Sequence, residues 1–426
     1  MSQTSFSPGS THAGPRLPLQ LPSALGTLIF LAIVAGCFNN FAGGLLAAVV
    51  FFLALTHGKL PHNFIFYCIS AVFLITFVHA LFPNRTPFPV RIEEVIRNFT
   101  FMAIVGLIGL TSQKNLYRVV FLLCYVLIVP IPLYIGLGMF GQADASGNFR
   151  YTSLLVHPNH AGYVSTFLIA LLIIQKDKIS ALRGDYRIML IGLFLALGLS
   201  ESSTGFGTCA IVLLVYAASF LSVRRRLQMF VGFALALLVM WQITPIITSL
   251  IIKFQNVDFD AIREGAQSHE FGGHGSSLAW RMSYWTAIWM EHRSQDFLDQ
   301  LNGFGGGSTS TGNYVYSFMY VDPHNDILAY MIDYGFLWGS LISILQLIPA
   351  ARAKGGLVIL LTILIPMQTG NIATSFPIVS IYYLAVAILI REKRAARSST
   401  VAPEAGQTFR AGGSTAGTHV SSGELS

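Results

Sequence analysis

Long apolar runs, repeated along almost the whole chain, decide what this sequence can fold into. Each run covers roughly 16–25 residues, the length of α-helix that crosses the hydrocarbon core of a bilayer. Lipid offers no partner to a backbone N–H or C=O, so only helices and closed barrels span it. Barrel strands alternate in polarity, and these runs do not. The sequence therefore predicts an all-α, polytopic membrane protein. Composition agrees: 54% of the 426 residues are hydrophobic and 11% are charged, about half the charge of a soluble domain.

The runs fall near 23–39, 41–57, 62–82, 96–111, 118–139, 161–175, 188–203, 206–222, 228–251, 325–349, 355–371 and 374–390, which makes about 12 transmembrane helices. The first two meet at Asn39-Asn40 with almost no linker. Residues 1–22 are polar and Pro-rich, with no cleavage site after an apolar core, and read as a disordered cytoplasmic tail. Residues 23–391 form the transmembrane domain, which includes a large polar loop at 252–324. Residues 392–426 read as a second cytoplasmic tail, rich in Ser, Gly, Ala and Thr after about 398 and disordered.

Basic residues orient the chain, because cytoplasmic loops carry the excess of Lys and Arg. With both termini inside, all but eight of the 26 basic residues are cytoplasmic. The eight outside are Arg85, Arg91, Arg97, Arg150, Lys253, Arg263, Arg281 and Arg293. The net charge of +7 is thus an orientation signal and does not indicate nucleic-acid binding. Cys37, Cys68, Cys124 and Cys209 are isolated within apolar runs, which fits membrane packing and gives neither a disulfide framework nor a zinc site.

Two outer loops, about 140–160 and 252–324, hold the residues with chemistry. The first reads Gly147-Asn148-Phe149-Arg150, then His157-Pro158-Asn159-His160. Arg150 offers a planar fork of donors suited to a phosphate or pyrophosphate. Asn159 is placed to cap a helix starting near Ala161, whose amide end is also a natural anion site. By itself this is an ordinary loop with a helix cap. A shorter outer turn, Ser200-Glu201-Ser202-Ser203-Thr204-Gly205, offers Glu201 as an acid or base. Its hydroxyls also suit helix caps and close helix approach.

The large loop carries Lys253, Asp258, Asp260, Arg263, Glu264, His269, Glu270 and His274, then Arg281, Trp285 and Trp289 at helical spacing. A helix lying in the membrane surface accounts for the tryptophans, and Arg281 on its polar side would meet a lipid-linked phosphate. Gly303-Phe304-Gly305-Gly306-Gly307-Ser308 lacks the Gly-Lys-Ser/Thr ending of a nucleotide loop and reads as flexible. At Asp322-Pro323-His324-Asn325 the loop meets the next apolar run. Histidine is the side chain best suited to accept a proton near neutral pH. Asn325 can cap the helix or orient a hydroxyl. Asp333, on one helical face with Asp326, orients a partner or stays hydrated in a cavity.

In this order the residues resemble the O-antigen ligase and polymerase superfamily, which includes the Wzy-type and exopolysaccharide polymerases. The likeness runs from Arg150 to about Asn371. Arg150 followed by Pro158-Asn159 is similar to the family's first motif, and His157-Pro158-Asn159-x-x-Gly162 looks most like exopolysaccharide polymerases. His324-Asn325, nine residues, then Gly335 is similar to the ligase signature, with Trp338 where a Gly, Thr or Tyr is usual. The serine turn also lacks the Arg that many members carry.

The resemblance implies a GT-C-like, metal-independent inverting glycosyltransferase of the bacterial inner membrane, working at the periplasmic face without a cofactor. Its substrate would be an undecaprenyl-pyrophosphate-linked oligosaccharide within membrane lipid. A flippase and a chain-length regulator of the same pathway are the protein partners it implies. His324 would activate the acceptor hydroxyl while Arg150 and Arg281 hold the pyrophosphate. His157, Asn159, Glu201, Trp285 and Asn325 are the expected substrate contacts. A polymerase would use a second lipid-linked repeat unit as acceptor, and a ligase a lipid A core sugar. A transporter fits less well, because apart from Asp333 the charges sit at run ends and in loops.

Overall fold

The computed structural model describes residues 23–82, 85–143, 149–155, 157–182, 185–226, 228–229, 231–232, 258–269, 271, 277–309, 316–319 and 323–401. The expected tails up to 22 and beyond 401, almost all of the segment near 228–251, and Gly147, Asn148, Lys253, Glu270, His274 and Asp322 lie outside them. The described chain is predominantly helical. In order it runs α1 (Ala24–Phe38), α2 (Asn40–Thr56), α3 (Phe64–Leu81), α4 (Phe88–Leu110), α5 (Gln113–Ile128) and α6 (Ile131–Leu137). A short hairpin, β1 (Gly141–Ala143) and β2 (Phe149–Tyr151), pairs Gln142 with Arg150 and is the exception to an all-helical reading. Then come α7 (Pro158–Ile174), α8 (Lys176–Leu182), α9 (Tyr186–Ser200) and α10 (Ser203–Ser219). The large loop contributes α11 (Phe259–Ser268), α12 (Ser277–Ser294) and α13 (Phe297–Asn302). The chain closes with α14 (Asp326–Arg352), α15 (Gly356–Thr369) and α16 (Phe376–Val401).

Among the described residues, three stretches are long and apolar enough to cross a membrane: Phe64–Leu81, Gln113–Leu137 and Asp326–Arg352. Six further apolar helices have 14 to 17 residues, roughly 21–26 Å at 1.5 Å per residue, less than the ~30 Å hydrocarbon core. Large apolar side chains such as Leu31, Phe41, Phe52, Leu74, Ile191 and Ile344 face outward. An outer surface of that kind is compatible with an all-α protein in lipid. The centre is α7 and the first part of α16, which are apolar on every face and buried almost throughout.

Several boundaries differ from the apolar runs, each for a local reason. Asn39 does break the first two helices, accepting hydrogen bonds from Phe41 N (2.8 Å) and Ala42 N (3.3 Å). Pro130, which lacks an N–H, divides α5 from α6. α4 starts well before the run near 96, at Phe88, with Pro89 in its first turn. Arg91, Glu94 and Asn98 of its polar first half are buried, and Arg91 donates to the carbonyls of Ala80 (2.7 Å) and Phe82, satisfying acceptors at the end of α3. α16 continues past 391 as helix to Val401, so the expected tail begins later than the apolar pattern indicates.

α14 carries the largest departure. Gly335 is non-helical at φ 74° and ψ 171°, and kinks the helix. The glycine-rich segment packs into that kink as an ordered turn, which corrects its reading as a flexible loop. Phe304 N donates to Ile332 O (3.0 Å) and Gly305 N to Asp333 O (2.9 Å). The Asp333 carboxyl accepts from Gly307 N (3.0 Å), Ser308 Oγ (2.6 Å) and Thr309 N (2.9 Å). Asp333 is therefore a buried clamp on this turn, in place of a partner-orienting or cavity-hydrated carboxylate. Phe304 then anchors a second apolar cluster with Tyr284, Ile288, Tyr316, Met319 and Ile332, which fixes α12 over α14.

Candidate functional site

The start of α7 sets one wall of the site. Pro158 occupies the first helical position, so the preceding residue, His157, is the cap: its Nδ1 accepts from Asn159 N at 3.1 Å. Asn159 is thus inside the first turn and is not the cap. Its Oδ1 is turned instead to Arg150 Nη2 at 3.0 Å. Arg150, held on β2, also donates from Nε to Ser200 O at 3.0 Å. That carbonyl ends α9, so the guanidinium fastens the hairpin to two helix ends.

The turn after α9 is a pair of caps. Glu201 closes α9 in a left-handed conformation (φ 48°) and is exposed. Ser202 Oγ accepts from Gly205 N at 3.1 Å and starts α10. Gly162 of α7 faces Ser202, and a Cβ there would sit 2.6 Å from the serine Cβ, so this glycine permits the two helices to meet.

The opposite wall comes from α12 and the start of α14. Arg281, half-buried, donates from Nη1 to Thr369 O at 3.1 Å, at the end of α15. Trp285, one turn on, does not lie in a lipid-facing position. It packs against the Phe304 cluster, and its indole N–H donates to Pro323 O. Trp289, in contrast, is exposed. His324 follows Pro323 with φ 50°, a left-handed backbone that a non-glycine residue adopts only when its surroundings hold it. Asn325 supplies the other hold: it is buried and its Oδ1 caps α14, accepting from Leu328 N at 3.0 Å. The Trp280 ring stands 6.5 Å from the His324 ring.

These two walls face one another. His324 has its proton affinity lowered by partial burial, then by the Arg281 charge, then by His157. His157 is lowered by partial desolvation, then by Arg150 and by Arg281. Burial also lowers the pKa of Arg281. Two arginines and two histidines from separate segments therefore share one electrostatic environment. Among the described residues, hydrogen bonds engage two of the five guanidinium N–H donors of Arg150 and one of those of Arg281. The others can receive an anion.

No protein-family model and no curated protein matches the chain.

Of the sequence-predicted residues, Arg150, His157, Asn159, Arg281 and His324 come together. Asn325 and Trp285 act one step back, holding the chain on either side of His324, and Glu201 sits at the rim. Reading the sequence missed the turn after α15. There Asp326 accepts from Ile372 N (3.0 Å) and Ala373 N (3.1 Å), fastening that turn to the start of α14. It also missed His160, whose ring lies 5.8 Å from His157 and 6.4 Å from Tyr163. The second histidine of His157-Pro158-Asn159-His160 was the available signal. Arg85, Arg91 and Arg97 have other partners. Arg85 pairs with Asp299 at 2.5 Å and lies over Phe304, Arg91 is bound to the end of α3, and Arg97 pairs with Glu94. Among the described residues no three His, Cys, Asp or Glu side chains gather as a metal ion requires. A cavity of about 650 Å³ between α3, α13 and α14 is a separate feature: Leu74, Val78, Arg85, Gly303 and Trp338 help line it, and none of the residues named for the site does.

Proposed function

We propose that this chain is a membrane glycosyltransferase that polymerises undecaprenyl-pyrophosphate-linked repeat units of an exopolysaccharide or O-antigen at the periplasmic face of the bacterial inner membrane. The supporting observation is the convergence of Arg150, Arg281, His157 and His324 at the ends of apolar helices. That set suits a reaction whose leaving group is an anion and whose nucleophile is a sugar hydroxyl. The acceptor oxygen attacks the anomeric carbon while the bond from that carbon to the pyrophosphate oxygen breaks, with inversion. The hydroxyl proton passes to an unprotonated nitrogen of His324. The charge growing on the pyrophosphate falls on the arginine donors, which are in place before the reaction begins.

The lowered proton affinity of His324 keeps its ring neutral near pH 7, as a base requires. A pyrophosphate arriving beside it would raise that affinity when the proton has to move. Trp338, in place of the Gly, Thr or Tyr usual in the ligase-like pattern, supports the polymerase over the ligase.

The test is to delete the gene and size the surface polysaccharide. Loss of long chains, with single repeats still on a lipid carrier, supports polymerisation. Intact polymer stranded on the carrier supports ligation to lipid A core instead, and unchanged glycans overturn both. His324→Ala should abolish complementation while the protein stays in the membrane at wild-type level; near-normal glycans would remove His324 from the base role.

A further inference from the structure

The end of the bundle away from the candidate site carries its own concentration of cations. α14 and α16 both start beside the site, tied together where Asp326 accepts from Ile372 and Ala373. They run to the far side, to Arg352 and through the stretch Lys393–Arg397. α3 begins there, and the Arg352 guanidinium carbon lies 3.8 Å from the Phe64 ring centre. A cleft of about 380 Å³ opens among these three helix ends. Phe64 and Ile390 form its apolar side, and Arg352, Lys393, Arg394 and Arg397 its polar side.

None of the lining residues is acidic. The neighbouring carboxylate, Glu392, is committed elsewhere: it pairs with Lys178 and accepts from Gln113 and from Tyr117 Oη (3.2 Å). Lys393 Nζ is drawn toward the cleft by the carbonyls of Arg352 (3.0 Å) and Ala353 (3.4 Å). Orientation in a membrane asks only that basic residues lie on one side, and mutual repulsion would spread them. Four gathered on one cleft, with no acidic residue in its lining, form a surface suited to an anion. The flanking surface is apolar: Tyr67 and Leu74 of α3, with Leu341 and Ile344 of α14, are exposed.

We propose that this cleft binds the phosphate headgroup of an anionic membrane lipid, with the acyl chains along the exposed apolar faces of α3 and α14. Guanidinium forks match phosphate oxygens, and a basic pocket between helix ends at a membrane surface is suited to such headgroups. The proposal uses none of the residues assigned to glycosyl transfer, so the two readings stand or fall separately.

The test titrates the full-length protein in non-ionic detergent with phosphatidylglycerol and with phosphatidylcholine of the same chains, read by native mass spectrometry. Phosphatidylglycerol should bind more tightly. R394Q/R397Q should weaken it by about thirtyfold, at about fivefold per basic side chain near an anionic surface, and leave phosphatidylcholine unchanged. R394K/R397K should keep most of the preference. R352Q, at the other side of the cleft, should also weaken phosphatidylglycerol and so checks the site without altering α16. Equal binding of the two lipids, or a full preference retained in R394Q/R397Q, would overturn the proposal. Displacement of phosphatidylglycerol by an equal concentration of inorganic phosphate would overturn the assignment to a lipid.

Discussion

Asp333→Ala tests the clamp that joins the glycine turn to the kinked helix α14. In the wild-type chain the buried carboxyl accepts three hydrogen bonds, from Gly307 N, Ser308 Oγ and Thr309 N. Alanine leaves two amides and a hydroxyl buried without that acceptor. Each such loss costs about 1–3 kcal/mol, so the variant should be destabilised on the order of 3–6 kcal/mol after partial relaxation. Asp333→Asn separates the contributions. Its remaining oxygen can still serve Ser308 and Thr309, while the amide faces the Gly307 N–H, and one lost bond costs about 1–3 kcal/mol. The consequence should reach the site, because the turn seats Phe304, whose ring meets His292 and Tyr316 under α12. The assay is the thermal unfolding midpoint of purified protein in detergent, with size-exclusion profiles as a check. The midpoints should rank wild type, then Asp333→Asn, then Asp333→Ala. A wild-type midpoint for Asp333→Ala, or Asn falling below Ala, would refute the clamp.

Three further outcomes follow from the geometry. Arg281→Gln removes a charge that lowers the proton affinity of His324 and His157, so the acid limb of the residual rate-versus-pH profile should move to higher pH. The sign follows because the base must be unprotonated, and a raised pKa leaves more of it protonated at a given pH; an unmoved limb would count against the coupling. Arg150→Lys replaces a fork that bonds Ser200 O and Asn159 Oδ1 with a single ammonium. Loss of about 1.5–3 kcal/mol predicts kcat/KM for the lipid-linked donor lower by roughly 10- to 150-fold, whereas a change under about twofold would dismiss the role. Gly335→Ala puts a Cβ at φ 74° against the backbone of Leu301 and Asn302. The left-handed strain costs about 1–2 kcal/mol and the crowding about 1–3, which should appear as a lower thermal midpoint; an unchanged one would show that the kink adapts.

Helix positions were legible wherever an apolar run formed the helix, because burial in lipid or core needs only composition and length. Asn39 was legible too, since its side chain acts on amides two and three residues away. What escaped the sequence depended on distant partners. The polar start of α4 reads as loop until Arg91 meets the end of α3. The Gly303–Ser308 segment reads as flexible until Asp333, some 25 residues later, fixes it. The cap of α7 was misassigned by two residues because Pro158 takes the first helical position and passes the cap back to His157. That Arg150 and Arg281 both act on His157 is anticipated only through a resemblance in motif order, and nothing in their sequence separation indicates it.

The holds on His324 redistribute what its neighbours do. Asn325 and Trp285 are natural substrate contacts from their chemistry, an amide at a helix start and an amphipathic ring on a surface helix. In the structure each spends its polar group on the chain: Asn325 on Leu328 N and Trp285 on Pro323 O. Between them His324 keeps a left-handed backbone, and its ring stays within the influence of Arg281 and His157. A strained residue held from both sides is a means of fixing a side chain before a ligand arrives, which spares the bound state the cost of ordering it. On this argument Asn325 and Trp285 are positioning residues. Under the proposed function, direct contact with the lipid-linked donor would then fall to the two arginines and two histidines, which the electrostatics of the site link through His157 and His324.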